Sequence, residues 1–144
     1  MTSREAVMAG LEMLLSNAYA WITGPERRLK LWADVPLSQR PALFLFDGGQ
    51  DRYTYNNSIN LKRTINVKLF VYTNSKENTG SIELNEIMDA IDNALAPKDG
   101  DLQLGRNTLG GCAYHCRIEG DVVKDPGDLD GEGLLIIPVQ ILLP

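Results

Sequence analysis

The clearest periodicities along the chain are two helical stripes and two alternating runs. Val7, Leu11, Leu14, Leu15 and Ala18 recur at the spacing of one buried helical face, predicting a helix over residues 3–18. Thr2 and Glu5 supply the T-x-x-E pattern of a capping box at its start. Met8 and Met13 fall off that stripe, at exposed or partner-touching positions. A second helix is predicted over residues 82–95, capped by Ser81 and stopped by Pro97. Its buried stripe is Leu84, Ile87, Met88, Ile91, Ala94 and Leu95; Glu83, Glu86, Asp89 and Asp92 lie mostly off it.

Strands are marked by alternation. Over residues 61–73, Ile65, Val67, Leu69 and Val71 alternate with Thr64, Asn66, Lys68, Phe70 and Tyr72. The run ALFLF (42–46) reads as a central strand, and RLKLW (28–32) as a short one after the Gly24-Pro25 breaker. Pro36 and Pro41 bracket a loop. Residues 50–60 read as an exposed loop or hairpin arm, 74–80 as a turn-rich linker, and 98–109 as loop with a short strand at LQL (102–104). Gly110-Gly111 opens a long strand, 112–123, and residues 125–132 lead to the last strand, 134–143. There Ile137, Val139, Ile141 and Leu143 share a face, and Pro138 predicts an edge or a bulge because it cannot donate to a ladder. The strands follow one another through loops, so the fold class is α+β: one antiparallel sheet of mixed strand lengths with two helices on one face. The opposite face stays partly apolar and uncovered, with Phe70 and Tyr72 wet, which predicts self-association.

Composition narrows the class. The chain has 144 residues, 44% hydrophobic and 23% charged, which suits one globular domain spanning 1–144. Its net charge of −5 and short, separated basic pairs argue against a nucleic-acid binder, whose affinity rests on phosphate neutralisation. No apolar run is long enough for a membrane helix, and the N-terminus lacks the order of a secretory signal, so the expected setting is the cytosol.

Candidate chemistry is sparse. His115 and Cys116 are sequence neighbours, which on a strand point to opposite faces and cannot form a nucleophilic dyad. Cys112, His115 and Cys116 lack the second ligand pair of a closed zinc site. On an extended strand the two cysteines stand about 13 Å apart, too far for a disulfide. Asp125, Asp128, Asp130 and Glu132 invite a calcium reading, but the first ligand position falls on Pro126 and no helix follows. Asp89 and Asp92 share a helical face as surface charges, and the glycines near residues 105 and 110 read as turns. The expectation is a protein that is not an enzyme, with no catalytic residue, cofactor or metal.

Several stretches, in order, carry a resemblance: REAVMAGLEMLL (4–15), RPALFLFDGGQ (40–50), KRTINVKLFVYT (62–73), LNEIMDAIDNAL (84–95) before Pro97, and the glycine-punctuated ending from TLGG at 108 to ILL at 143. Together they span nearly the whole chain, which resembles the tail terminator, or tail completion, proteins of long-tailed bacteriophages. Arg40 departs from the pattern, where many relatives have Gln. The resemblance implies an α+β fold and a homohexameric ring in the virion, on the head-proximal end of the tail tube. It implies contacts with the tail tube protein and with head-completion (connector) proteins, and DNA passing through the channel without specific binding. Assembly would take place in the host cytoplasm, without a membrane. An acidic channel lining would repel phosphate and let DNA slide. The candidate interface residues are Asp51, Arg52, Tyr53 and Tyr55 on the arm and Lys68, Phe70 and Tyr72 on the long strand, since tyrosine and arginine are favoured interface anchors. The alternatives are another neck protein, such as a stopper, or a cellular α+β enzyme or ligand-binding subunit.

Overall fold

The computed structural model describes residues 3–55, 61–74, 80–97, 105–129 and 131–143. Helix α1 (Arg4–Ser16) begins at Ser3, whose hydroxyl accepts the Ala6 N–H at 3.1 Å. The cap is therefore Ser3; Thr2 lies outside the described residues. Met8 is fully buried beside Val7, Leu11 and Leu15, so the buried stripe is one residue wider than the periodicity predicts. Met13 is 70% exposed. Helix α2 (Gly80–Leu95) starts before Ser81, and its predicted stripe is buried, with Met88 partly so.

The described residues form seven strands: β1 (Thr23–Glu26), β2 (Ala42–Phe46), β3 (Arg52–Tyr55), β4 (Leu61–Asn74), β5 (His115–Ile118), β6 (Val123–Asp125) and β7 (Glu132–Leu142). They form one sheet in the order β1-β2-β4-β7-β5, with β3 pairing β4 and β6 pairing β7. Every pairing is antiparallel except β1 with β2, which is parallel. The sheet is thus mixed, and the fold is α+β with the helices packed against it.

Four expectations change. Gly24-Pro25 sits inside β1 rather than breaking the chain. An edge strand tolerates the missing proline donor, and at Gly24 (φ +94) a Cβ would lie 2.2 Å from the Leu43 carbonyl oxygen, so the strands approach this closely only over glycine. RLKLW is not a strand; its Trp32 opens one of two short 3₁₀ turns, Trp32–Asp34 and Leu37–Gln39. The predicted long strand over 112–123 is broken into β5 and β6. The break has a cause in β7. Pro138 faces it, its carbonyl accepting the Glu119 N–H at 3.1 Å, so on that side Pro138 has no N–H to return. Gly120 (φ +117) carries the chain around the proline ring. β7 is accordingly interior, paired with β4 on one side and with β5 and β6 on the other, not an edge. The LQL strand predicted over 102–104 lies outside the described residues.

The main core lies between helices and sheet: Val7, Leu11 and Leu15 of α1 and Ile87 and Ile91 of α2 meet Ile65, Val67, Leu69, Ile137, Val139 and Ile141. The opposite face is not wholly open, as the pattern predicts. Residues 29–41 fold back over one end of it. Val35, Ala42, Phe44 and Tyr72 form a second buried cluster, with Leu29, Phe70 and Leu134 packed against it. Tyr72 is 4% exposed, and its hydroxyl donates to the Lys30 carbonyl at 2.7 Å.

Arg40 fastens this covering segment. Its side chain is buried; Nε and Nη2 donate to the Val35 carbonyl at 3.2 and 3.0 Å, Nη2 also reaches the Trp32 carbonyl, and Nη1 donates to the Thr73 carbonyl at 3.4 Å. Glu132 stands 3.6 Å away as counter-ion. One guanidinium thus ties the 3₁₀ turn at 32–35 to the ends of β4 and β7.

Candidate functional site

Beyond the covering segment, the second sheet face is open to solvent. Register puts Phe70 beside Ile136 and Ile136 beside Val123, and Lys68 between Phe46 and Pro138. Val123 is 51% and Phe46 36% exposed; Phe70 and Ile136 are half-buried. Phe46 and Phe70 pack edge to face, with ring centroids 6.1 Å apart. A row of four apolar side chains therefore crosses three strand boundaries with one side still wet, more than scattered surface hydrophobes require.

The hairpin β3–β4 projects from the same end. Arg52 pairs with Thr64 and Thr54 with Lys62, so these four share the open face with Lys68. Tyr53, Tyr55 and Leu61 lie on the helix side of the hairpin. Tyr53 and Asp51 are exposed but engaged within the chain: Arg4 at the start of α1 donates to the Tyr53 hydroxyl, pairs with Asp51 at 3.4 Å, and lies over the Tyr53 ring. The arm is thus clipped to α1.

Of the seven candidates, Arg52, Tyr55 and Lys68 are exposed and Phe70 is half-buried on the open face. Asp51 and Tyr53 are surface residues engaged by Arg4. Tyr72 belongs to the second core and offers no surface, because residues 29–41 cover it; here alternation alone misleads.

The residues considered for chemistry are dispersed. Cys116 lies in the main core, and burial, with Cys112 nearby, pushes its thiol up to about 12, the opposite of a reactive thiolate. Cys112 sits in the turn before β5, not on a strand, against Ala6 of α1, and both cysteines are free. His115 accepts the Asn107 backbone N–H at Nδ1, 3.2 Å. Among the described residues no group of three His, Cys, Asp or Glu side chains is placed to hold a metal ion. In the acidic loop, Asp125 accepts the Gly127 N–H at 2.9 Å and Glu132 faces Arg40, while Asp130 lies outside the described residues. Asp89 and Asp92 are exposed. A cleft of about 200 Å³ opens between Trp32 and the start of β7, with Arg40, Asp125 and Glu132 in its wall. Among the described residues, no helix is long and apolar enough to cross a membrane.

Asn107 escapes sequence reading. It is 2% exposed, and its Nδ2 donates to the carbonyls of Ala94 and Ala96, both at 3.0 Å, so a distant side chain caps the end of α2. Its Oδ1 accepts the Leu109 N–H at 3.0 Å, fixing Leu109 at φ +52. Its carbonyl accepts the Cys116 N–H at 2.8 Å, which starts β5. In sequence it stands in R-N-T-L-G-G, which signals a turn and nothing more.

Burial first, and then the charge of Arg117, lower the His115 pKa below its ordinary 6.5. The native state therefore binds fewer protons than the unfolded chain just below that value. This contribution to stability is present above about pH 6.5 and is lost as pH falls through the lower native pKa. Thermal melts of the native protein and a His115→Gln variant, from about pH 8 to about pH 5, should show the native advantage shrinking with acidification. An advantage independent of pH would contradict this assignment.

Comparison with protein-family models and with curated proteins gives no match.

Proposed function

We propose that this chain is a structural subunit that closes into a ring, and that the ring is the tail terminator of a long-tailed phage. It would cap the head-proximal end of the tail tube, stop its polymerisation and join the tail to head-completion proteins, with no catalytic step. One observation carries the reading: the second sheet face is sealed at one end and left open at the other, where Phe46, Phe70, Ile136 and Val123 line up beside a projecting hairpin. A monomer leaves that surface wet, and repeated copies around an axis cover it. The order of segments along the chain supports the same reading, through its resemblance to the family.

Electron microscopy of tails made without this protein tests the role. Overlong or headless tails are expected; tails of normal length with leaking heads would make it a stopper instead. Tyr55, 67% exposed at the hairpin, tests the arm. Tyr55→Ser should leave stability within about 0.5 kcal/mol while lowering attachment to the tube several-fold. Unchanged tail assembly would remove the arm from the contact surface.

A further inference from the structure

The molecule separates its charge by layer. Helix α2 carries Glu83, Glu86, Asp89 and Asp92 and no lysine or arginine. Glu86, Asp89 and Asp92 are exposed, and none of the four makes an ion pair among the described residues. Burial, and then the charge of Glu86, hold the Glu83 pKa above the usual carboxylate value, as expected for acids lacking a cation. On the other side of the sheet, Arg52, Lys62 and Lys68 are exposed on one face, and none of these three is ion-paired among the described residues either. Lys68 stands next to Phe70, which begins the apolar row with Ile136 and Val123, while Arg52 and Lys62 lie further along the β3–β4 hairpin; Ile82 on α2 is 58% exposed beside the acids.

We infer that the acidic outer face of α2 in one copy docks on the basic end of the open sheet face, around Lys68 and the β3–β4 hairpin, of the next; Asp125 and the Arg117–Glu119 pair lie on the rest of that face. This rests on the reading of the chain as a ring-forming subunit and names the two surfaces that meet. The occupant is a second copy because each surface carries the charge that the other lacks, and each also presents an exposed apolar group. The two lie on opposite layers, so one molecule cannot satisfy itself. A two-fold dimer would set like charge against like, which is unfavourable. Contact of two different surfaces, repeated about an axis, is the geometry that closes a ring.

Charge reversal tests this on the full chain. Arg52→Glu with Lys62→Glu makes the sheet face acidic; Glu86→Lys with Asp89→Lys makes the helix face basic. All four positions are exposed, so circular dichroism and melting should match the native protein. In sedimentation velocity the native protein should associate, less so as salt rises. Each double variant alone should associate at least tenfold more weakly. An equimolar mixture of the two should regain association, because both junctions in it pair acid with base. Association of either variant at native strength, or no recovery in the mixture, would overturn the pairing while leaving the ring reading intact. A native protein that never associates, with tails of normal length in its absence, would remove both. If the sheet-face variant instead loses binding to a short DNA duplex while associating normally, the basic face serves nucleic acid and the pairing is wrong.

Discussion

Asn107→Ala should cost about 4 kcal/mol of folding stability and lower the melting temperature by roughly 10 °C. The side chain meets three backbone groups: the Ala94 and Ala96 carbonyls and the Leu109 N–H. Asn107 is 2% exposed, so water does not readily replace it. A buried polar group left without a partner costs about 1–3 kcal/mol. Leu109 also sits at φ +52, a conformation that costs a residue with a Cβ about 1–2 kcal/mol and depends on the Asn107 contact. Asn107→Asp separates the causes. It keeps an acceptor for Leu109 but loses both donors and sets a negative charge against the carbonyl end of α2, where the helix dipole disfavours it. Asp should therefore be no better than Ala. Denaturant melts of both variants check this; a loss below about 1 kcal/mol would show that the cap contributes little.

Arg40→Met should cost about 3 kcal/mol and expose the second sheet face along its whole length. Replacing a buried ion pair by apolar atoms is often neutral, but here most of the guanidinium's bonds go to backbone carbonyls of Trp32, Val35 and Thr73, which methionine leaves orphaned. Glu132 also loses its counter-ion at 3.6 Å. Arg40→Gln keeps two N–H donors on a shorter stem and should fall between the native protein and Met. Residues 29–41 should then detach before the main core, because Val35 and Tyr72 hold the segment from one side only. Hydrogen exchange reports this as amides of residues 32–40 losing protection selectively. Uniform loss across β4 and α2 would mean that the segment belongs to one cooperative unit with the main core.

These two residues mark the boundary of what the pattern of amino acids reveals. α1, α2, β4 and β7 are legible because each buries one face at a fixed period, 3.6 or 2. β1 is hidden by Gly24-Pro25, which reads locally as a breaker; only the neighbouring Leu43 carbonyl explains why glycine belongs there. The break between β5 and β6 is set by Pro138, far along the chain, and no local signal at Gly120 reports it. The cover over the second face consists of short 3₁₀ turns, which lack a period, and its fastener is an arginine in a segment that reads as loop. Alternation therefore identifies Phe70 and Tyr72 as one face but cannot say that one is half-open and the other sealed. The surface candidates share this limit: charge and aromatic content single out the arm, but not that Arg4 holds Tyr53 and Asp51.

The most direct test is the native mass of the purified protein across a dilution series. A closed assembly of fixed copy number, six for the proposed tail terminator, is what an open sheet face completed by its neighbours predicts. Single chains at every concentration, with purified tail tubes added as well as without, would contradict it.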